Sequence, residues 1–295
     1  MPLEAVRLQK PLRKLRKMLT RVPRRAAPAQ VHHLRTRMRR IEAGLHALML
    51  DCDRRGRKLL KALKPIRSRA GKVRDMDVLM GFASSLRPQG DEECLLQLLE
   101  YIGAERYRQA RKLHRVVLRH GTQARPRLKR SAIYLGKVFH KLDKQWKGAD
   151  VWSVEAMSLA LLLARKLGQW PQLNAANLHA FRLKVKELRY VLQLADSPDS
   201  DFVAALGEVK DAIGEWHDWQ QLGAIAKEVL HHGPGCAVIT LLRSTTTEKF
   251  HHALSLADRM RRRYLKQPRR NPGRAPHLVV VPKPPVVMAA SSLAA

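Results

Sequence analysis

The chain has 295 residues, 45% of them hydrophobic, and a formal net charge of +32. That apolar share supports a packed core and excludes a purely basic disordered segment, while so large a charge repels itself on folding and points to a polyanionic partner: nucleic acid, an anionic membrane or a phosphate polymer. Three scattered cysteines, Cys52, Cys94 and Cys236, give neither a disulfide framework nor a zinc spacing, which suits a reducing cytosol.

The first residues, MPLEAVRLQKPLRKLRKML, are basic but lack the continuous apolar run of a secretory signal, and they predict a helix near 3–20. Helices follow near 30–50, 54–86 and 91–120, with a further one at about 125–147 after GTQARPR. The second half predicts helices near 151–168, 174–195, 199–232 and 235–264, separated by joints such as GQWPQLN, DSPDSD and HHGPG. SLALLLARKLG in the first of these is apolar but too short to cross a bilayer. Few aromatics and few alternating runs leave no strand signal, so the expected class is all-α. One domain is expected over 3–264. Beyond it the prolines of QPRRNPGRAPHLVVVPKPPVVMAASSLAA predict an unstructured tail, 265–295.

VHHLRTRMRRIEAGL, Val31 to Leu45, carries two stripes. Leu34, Met38, Ile41, Leu45 and Leu48 step by three and four, the spacing of one buried helical face. His32, Arg35 and Arg39 form a second row, with Arg40 beside it, only about a quarter-turn to a half-turn away at roughly 100° per residue. A solvated helix places its charges opposite the apolar stripe instead.

The pattern recurs. LHAFRLKVKELRYVL, Leu178 to Leu192, aligns at an offset of 147, placing His179 on His32, Arg182 on Arg35 and Lys186 on Arg39. Phe181, Val185, Leu188 and Leu192 reproduce the apolar row, and Arg189 extends the cationic one where the first copy has Glu42. LKPIRSRAGKVRDMDVL and LGEVKDAIGEWHDWQQL also align, at an offset of 143: Arg67 with Lys210, Gly71 with Gly214, Arg74 with His217 and Asp75 with Asp218. Lys64, Arg67 and Arg74 again flank an apolar row. Offsets differing by four imply a small insertion or deletion between two copies, spanning 3–147 and 151–264.

Two motifs, H-x-x-R-x-x-x-[RK] and G-x-x-[RH]-D, each present twice and in the same order, resemble the CHAD family, the conserved histidine α-helical domain. The resemblance covers about residues 3 to 264. It implies two pseudo-symmetric antiparallel helical bundles forming one compact domain around a basic central groove or channel. It also implies non-enzymatic binding of inorganic polyphosphate, in the cytoplasm and often on polyphosphate granules, with His32 and His179 as the histidines of the name. Two positions depart from the family: Glu42 stands where Arg is common, and His217 where a polar residue, often Asn, is common.

The physical reading agrees. Rows beside the apolar seam of two packed bundles line the groove between them, and a ladder of cations suits a linear polymer with about one charge per phosphate. Arg offers bidentate forks, Lys a point charge and protonated His two donors. Asp75 and Asp218 are expected to orient those side chains, although capping a turn is the plainer role for either. For Lys10, Arg13, Lys14, Arg24, Arg25 and Arg261 to Arg263 an ordinary solvated face is at least as good a reading. Trp152, Trp216 and Trp219 are expected as core anchors.

Two other classes compete. Weak non-specific nucleic-acid binding is allowed by the charge, but aromatics are only 5% and no helix-turn-helix, zinc finger or RNP signature is present. An enzyme acting on phosphoanhydrides would need a Walker loop, an E-x-E-x-K strand barrel or a carboxylate cluster for Mg²⁺, and the sequence offers none. The expectation is a binding protein with no cofactor and no metal.

Overall fold

A computed structural model describes residues 3–47, 50–145, 151–193, 198–231 and 235–265, with side chains for the same residues except 3–8, 47, 138–145 and 151–156. Among the described residues every regular element is helical: α1 (Leu3–Met18), α2 (Pro28–Ala47), α3 (Arg54–Ser85), α4 (Glu92–Gln145), α5 (Val151–Gly168), α6 (Leu178–Leu192), α7 (Ser200–Val229) and α8 (Ala237–Met260), closed by a π-helical turn Arg261–Leu265. Contacts divide the chain into Met1–Leu265 and Lys266–Ala295. Of the tail expected from 265, Leu265 instead closes the π-helical turn and is buried in the core, and the rest lies outside the described residues, as do Leu48 and the side chain of Trp152.

Local chemistry sets the helix ends. Asp53 caps α3 by accepting from Arg55 N, and Asp199 caps α7 by accepting from Asp201 N and Phe202 N. The helix expected from 174 starts later, at Leu178, because Asn174 and Asn177 bond each other and the local backbone. Asn174 Oδ1 accepts from Ala176 N at 2.9 Å, and the Asn177 amide donates to Gln172 O at 2.8 Å. Such side chains offer the backbone an alternative to the helix ladder.

One expected joint is absent. The helices expected at 91–120 and 125–147 form a single element, the 54-residue α4, which runs through Pro126. A mid-helix proline costs roughly 3 kcal/mol. Against that, Leu113, Val117, Ala124, Leu128 and Leu135 keep one buried face unbroken across it, and each large side chain contributes about 1.5–3 kcal/mol. Pro126 itself is exposed, so the carbonyl of Thr122 that it leaves without a helical donor lies on the solvent side of α4.

The core falls into three clusters. One joins α1, α2, α3 and the middle of α4, including Leu34, Met38, Ile41 and Ile66. A second joins α5, α6, α7, α8 and the π-helical turn, including Phe181, Val185, Leu188 and Ile213. The third lies between these halves: Leu79, Ala83, Leu98 and Ile102 from the first half meet Trp219, Leu222, Ala226 and Ile239 from the second. There the Phe82 and Trp219 rings stack at 4.7 Å. Trp216 and Trp219 are both buried, as core anchors. The third cluster fixes α3 against α7, and this contact decides which side chains of the two halves face each other.

Candidate functional site

In each half the helix bearing the H-x-x-R row packs on the helix bearing the G-x-x-[RH]-D row: α2 on α3, and α6 on α7. The apolar rows are buried in both pairs. Beside them Arg35, Arg39, Arg67, Arg74, His179, Arg182 and Lys186 are half-buried, while His32 and Lys64 are exposed.

Arg35 Nη2 on α2 lies 3.9 Å from Asp75 Oδ1 on α3. In the second half Arg182 Nε on α6 donates to Lys210 O on α7 at 3.0 Å, and its guanidinium rests on Gly214. A Cβ at Gly214 would stand 2.5 Å from Arg182 Nη2, so the motif glycine there is landing space for an arginine. At Gly71 the fit is looser, since a Cβ would stand 3.9 Å from Arg35 Nε.

The two halves act on one another. Arg39 of the first is influenced by Tyr190 and Arg182 of the second, Arg35 by Asp218, and Asp75 by His217. Burial, reinforced by neighbouring arginines, holds the Arg35, Arg39 and Arg67 guanidiniums below their ordinary value, and burial together with Arg35 does so for Arg182. Burial pushes Asp75 and Asp218 up, Asp218 further because Asp75 faces it, while Arg35 and Arg74 oppose the rise at both. Each carboxylate thus lies within the electrostatic reach of several arginines. His32 is lowered by burial, then by Arg74, His33 and Arg35. His179 is lowered by burial, then by His217 and Arg182, and His217 by burial, then by Arg182. The His179 and His217 rings are 4.6 Å apart, and His179 Nδ1 is buried without a hydrogen-bond partner.

The other candidates occupy the edges. Arg74 belongs to the centre through His32, Asp75 and Asp218. Arg67 is in close contact with Glu42, and Lys210 with Asp211, so each has a carboxylate partner already. Lys186 lies over the Tyr190 ring at 5.7 Å. Arg189 rests on Gly207 and its Nε reaches Val203 O at 3.4 Å. Arg40 and Lys64 are exposed and stand outside the set of mutually interacting charges. Tyr190 was missed at the level of sequence. Its position, four after Lys186 and eight after Arg182, continues the cationic row, but Ala43 at the matching place in the first half hid the signal. Two shallow, open clefts lie away from these residues, where Arg21, Val22 and Gln30 meet α4, and among the described residues no group of three His, Cys, Asp or Glu side chains is placed to hold a metal ion.

A sequence profile of the CHAD domain matches residues 7–227, from α1 to the end of α7. The chain belongs to the CHAD family. CHAD domains are commonly linked to polyphosphate binding. The fold agrees with the crystal structure of the CHAD domain from the plant Ricinus communis, at a TM-score of 0.60 and 19% identity, over 88% of this chain and 89% of that one. No curated protein matches the chain. Among the described residues of this CHAD domain no helix is long and apolar enough to cross a membrane.

Proposed function

We propose that this CHAD domain binds inorganic polyphosphate, without catalysis, along the cationic seam where α2 and α3 face α6 and α7. The observation that carries the reading is convergence: Arg35 and Arg39 on α2 and Arg182 on α6, all half-buried on helices that pack together, lie near enough to repel one another. A cluster of like charges held by a packed core is stabilised by a ligand that supplies the opposite charge. Closely spaced phosphates provide it at every step along a flexible chain, and guanidinium forks match phosphate oxygens. Asp75 and Asp218 keep the arginines oriented when no ligand is bound. The two helical halves, read as repeats 3–147 and 151–264, would each supply one wall of a basic groove. Cytoplasmic location on polyphosphate granules is part of this reading.

The test is a four-charge exchange. Replacing Arg35, Arg39, Arg182 and Lys186 by Ala removes four formal charges from the seam. Replacing Lys227, Arg243, Arg259 and Arg262, all exposed in the second half, removes four from the surface. Titration with long-chain polyphosphate at fixed salt should show a loss of at least 100-fold for the first variant and only a few-fold for the second. Each charge-assisted contact is worth about 1.5–3 kcal/mol, and the losses need not add. Equal losses, with both variants folded by circular dichroism, would leave only the field of a polycation. Incubation with polyphosphate should release no orthophosphate and shorten no chain; release would make the protein an enzyme.

A further inference from the structure

Outside the seam, α4 carries a second concentration of charge. The 32 residues from Arg106 to Lys137 include eleven Lys or Arg and no Asp or Glu. The buried side of this stretch belongs to the first-half core. On the opposite side Arg111, Arg115, Arg119, Lys129, Arg130 and Lys137 are all exposed. At roughly 100° and 1.5 Å per residue they fall within about a third of the helix circumference and extend over about 39 Å. Tyr107 widens the near end, its ring 41% exposed with Arg25 at 5.3 Å and Arg111 at 5.8 Å. None of these residues belongs to the seam.

We propose that this outer face of α4 is a separate docking surface for double-stranded nucleic acid. Charge and shape together select a duplex. The surface is a convex ridge on the outside of one helix, so it cannot wrap a thin, flexible polymer and gains little by ordering one. A duplex is already stiff and carries its phosphates on the outside, about one charge per 1.7 Å of axis, so a straight row of cations meets several at once. The same duplex, roughly 20 Å wide, is a poor fit to the seam. The contact reads backbone only: Arg and Lys to phosphates, with Tyr107 held as a polar edge between two guanidiniums, and no element that distinguishes bases. An anionic membrane fits less well. Leu118 and Ile133 are exposed on the ridge, at 62% and 52%, but the apolar face that an interfacial helix must insert is here spent on the core, in Leu113, Val117, Ala124 and Leu128.

The experiment uses the full chain and a fluorescent 30-base-pair duplex of arbitrary sequence, with binding read by anisotropy at fixed salt. Arg111, Arg115, Arg119 and Lys129 replaced by Ala should lower duplex affinity at least tenfold and lower polyphosphate affinity only a few-fold, no more than the surface variant does. The surface variant lacking Lys227, Arg243, Arg259 and Arg262 should bind duplex nearly as the parent does. Saturating long-chain polyphosphate should leave duplex bound, giving a ternary complex by analytical ultracentrifugation. Equal losses from the ridge and surface variants would overturn the proposal in favour of diffuse charge. Complete displacement of duplex by one equivalent of polyphosphate, or loss of duplex binding in the seam variant with the ridge intact, would place both ligands in one site and overturn it as well. Tighter, ridge-dependent binding to phosphatidylserine vesicles than to duplex would assign the surface to membranes instead. Should the four-residue variant misfold, Arg115→Gln with Arg119→Gln repeats the test on two side chains. Polyphosphate binding by the seam variant and duplex binding by the ridge variant are separate measurements, so failure of the ridge proposal leaves the polyphosphate reading standing, and the reverse holds too.

Discussion

The two motif glycines can be told apart by adding one methyl group to each. At Gly71 an alanine Cβ would lie 3.9 Å from Arg35 Nε, an ordinary contact, and the position is mid-helix in α3. Gly71→Ala should therefore stabilise the protein by about 0.5–1 kcal/mol through reduced backbone entropy in the unfolded chain. Polyphosphate affinity should not change. At Gly214 the same Cβ would lie 2.5 Å from Arg182 Nη2, 3.0 Å from Cζ and 3.1 Å from Nε, which is too close. The clash is with the far end of a flexible side chain, so α7 survives and Arg182 moves, losing its bond to Lys210 O. A charged hydrogen bond is worth about 1.5–3 kcal/mol. The helix-propensity gain offsets part of that, and a net loss of about 0.5–2.5 kcal/mol is expected. Affinity should fall at least tenfold, because a displaced guanidinium forfeits about 1.4 kcal/mol or more of ligand contact. Thermal melts and calorimetric titration with polyphosphate of one chain length, at one salt concentration, measure both quantities. If Gly214→Ala binds as the parent does, Arg182 is not a ligand contact in its observed position, and the convergence argument loses its best-placed cation.

Two further outcomes follow from the same geometry. His32, His179 and His217 have folded values below the ordinary 6.5, so the unfolded chain binds more protons in that interval. Their contribution to stability is present above pH about 6.5 and is lost as pH falls toward the depressed values. Melting temperature without ligand should decline over that window. Affinity should move the opposite way, rising from pH 7.5 to 5.5, because a bound polyanion favours the imidazolium forms; a flat affinity profile would remove the histidines from the site. Replacing Glu42 by Gln removes the carboxylate beside Arg67, a pair of half-buried side chains. Stability should fall by about 1 kcal/mol or less, while polyphosphate affinity rises several-fold by titration; a fall in affinity would mean that Arg67 must be held by Glu42 to serve.

The all-helical class was legible because the core rows are periodic, and the position of the candidate cations beside the core was legible because they sit at fixed steps from those rows. His32, Arg35, Arg74 and Asp75 could be placed from spacing alone, and so could Arg182, His217 and Asp218. Spacing cannot report what a side chain does once it arrives. Arg40 shares the helix with Arg39 but points to solvent. Lys210 and Arg67 reach carboxylates first, since Asp211 and Glu42 are near enough to neutralise them. The break expected at GTQARPR failed for another reason: proline and glycine are local signals, and a buried face continuing on both sides outweighs them. Tyr190 was hidden because only one copy has it.

The imperfect match between the halves has a steric explanation that pairwise alignment does not reveal. Where α6 has Arg189, α2 has Glu42, and where α7 has Gly207, α3 has Lys64. These are one change, not two. Arg189 lies over Gly207, and a Cβ there would stand 3.3 Å from its Nε, a tight contact that the bare glycine avoids. In the first half no arginine arrives at that spot, so Lys64 has room and points to solvent. The shorter Glu42 reaches Arg67 instead, one turn further along α3. The exchange shifts the balance of charge along the seam. In the second half the cationic row runs on through Arg189, while in the first it ends at a neutralised pair. A polyphosphate chain lying across both halves would meet unequal walls: Arg189 extends the row on the α6–α7 side, while the α2–α3 side has Arg74 where α7 has His217.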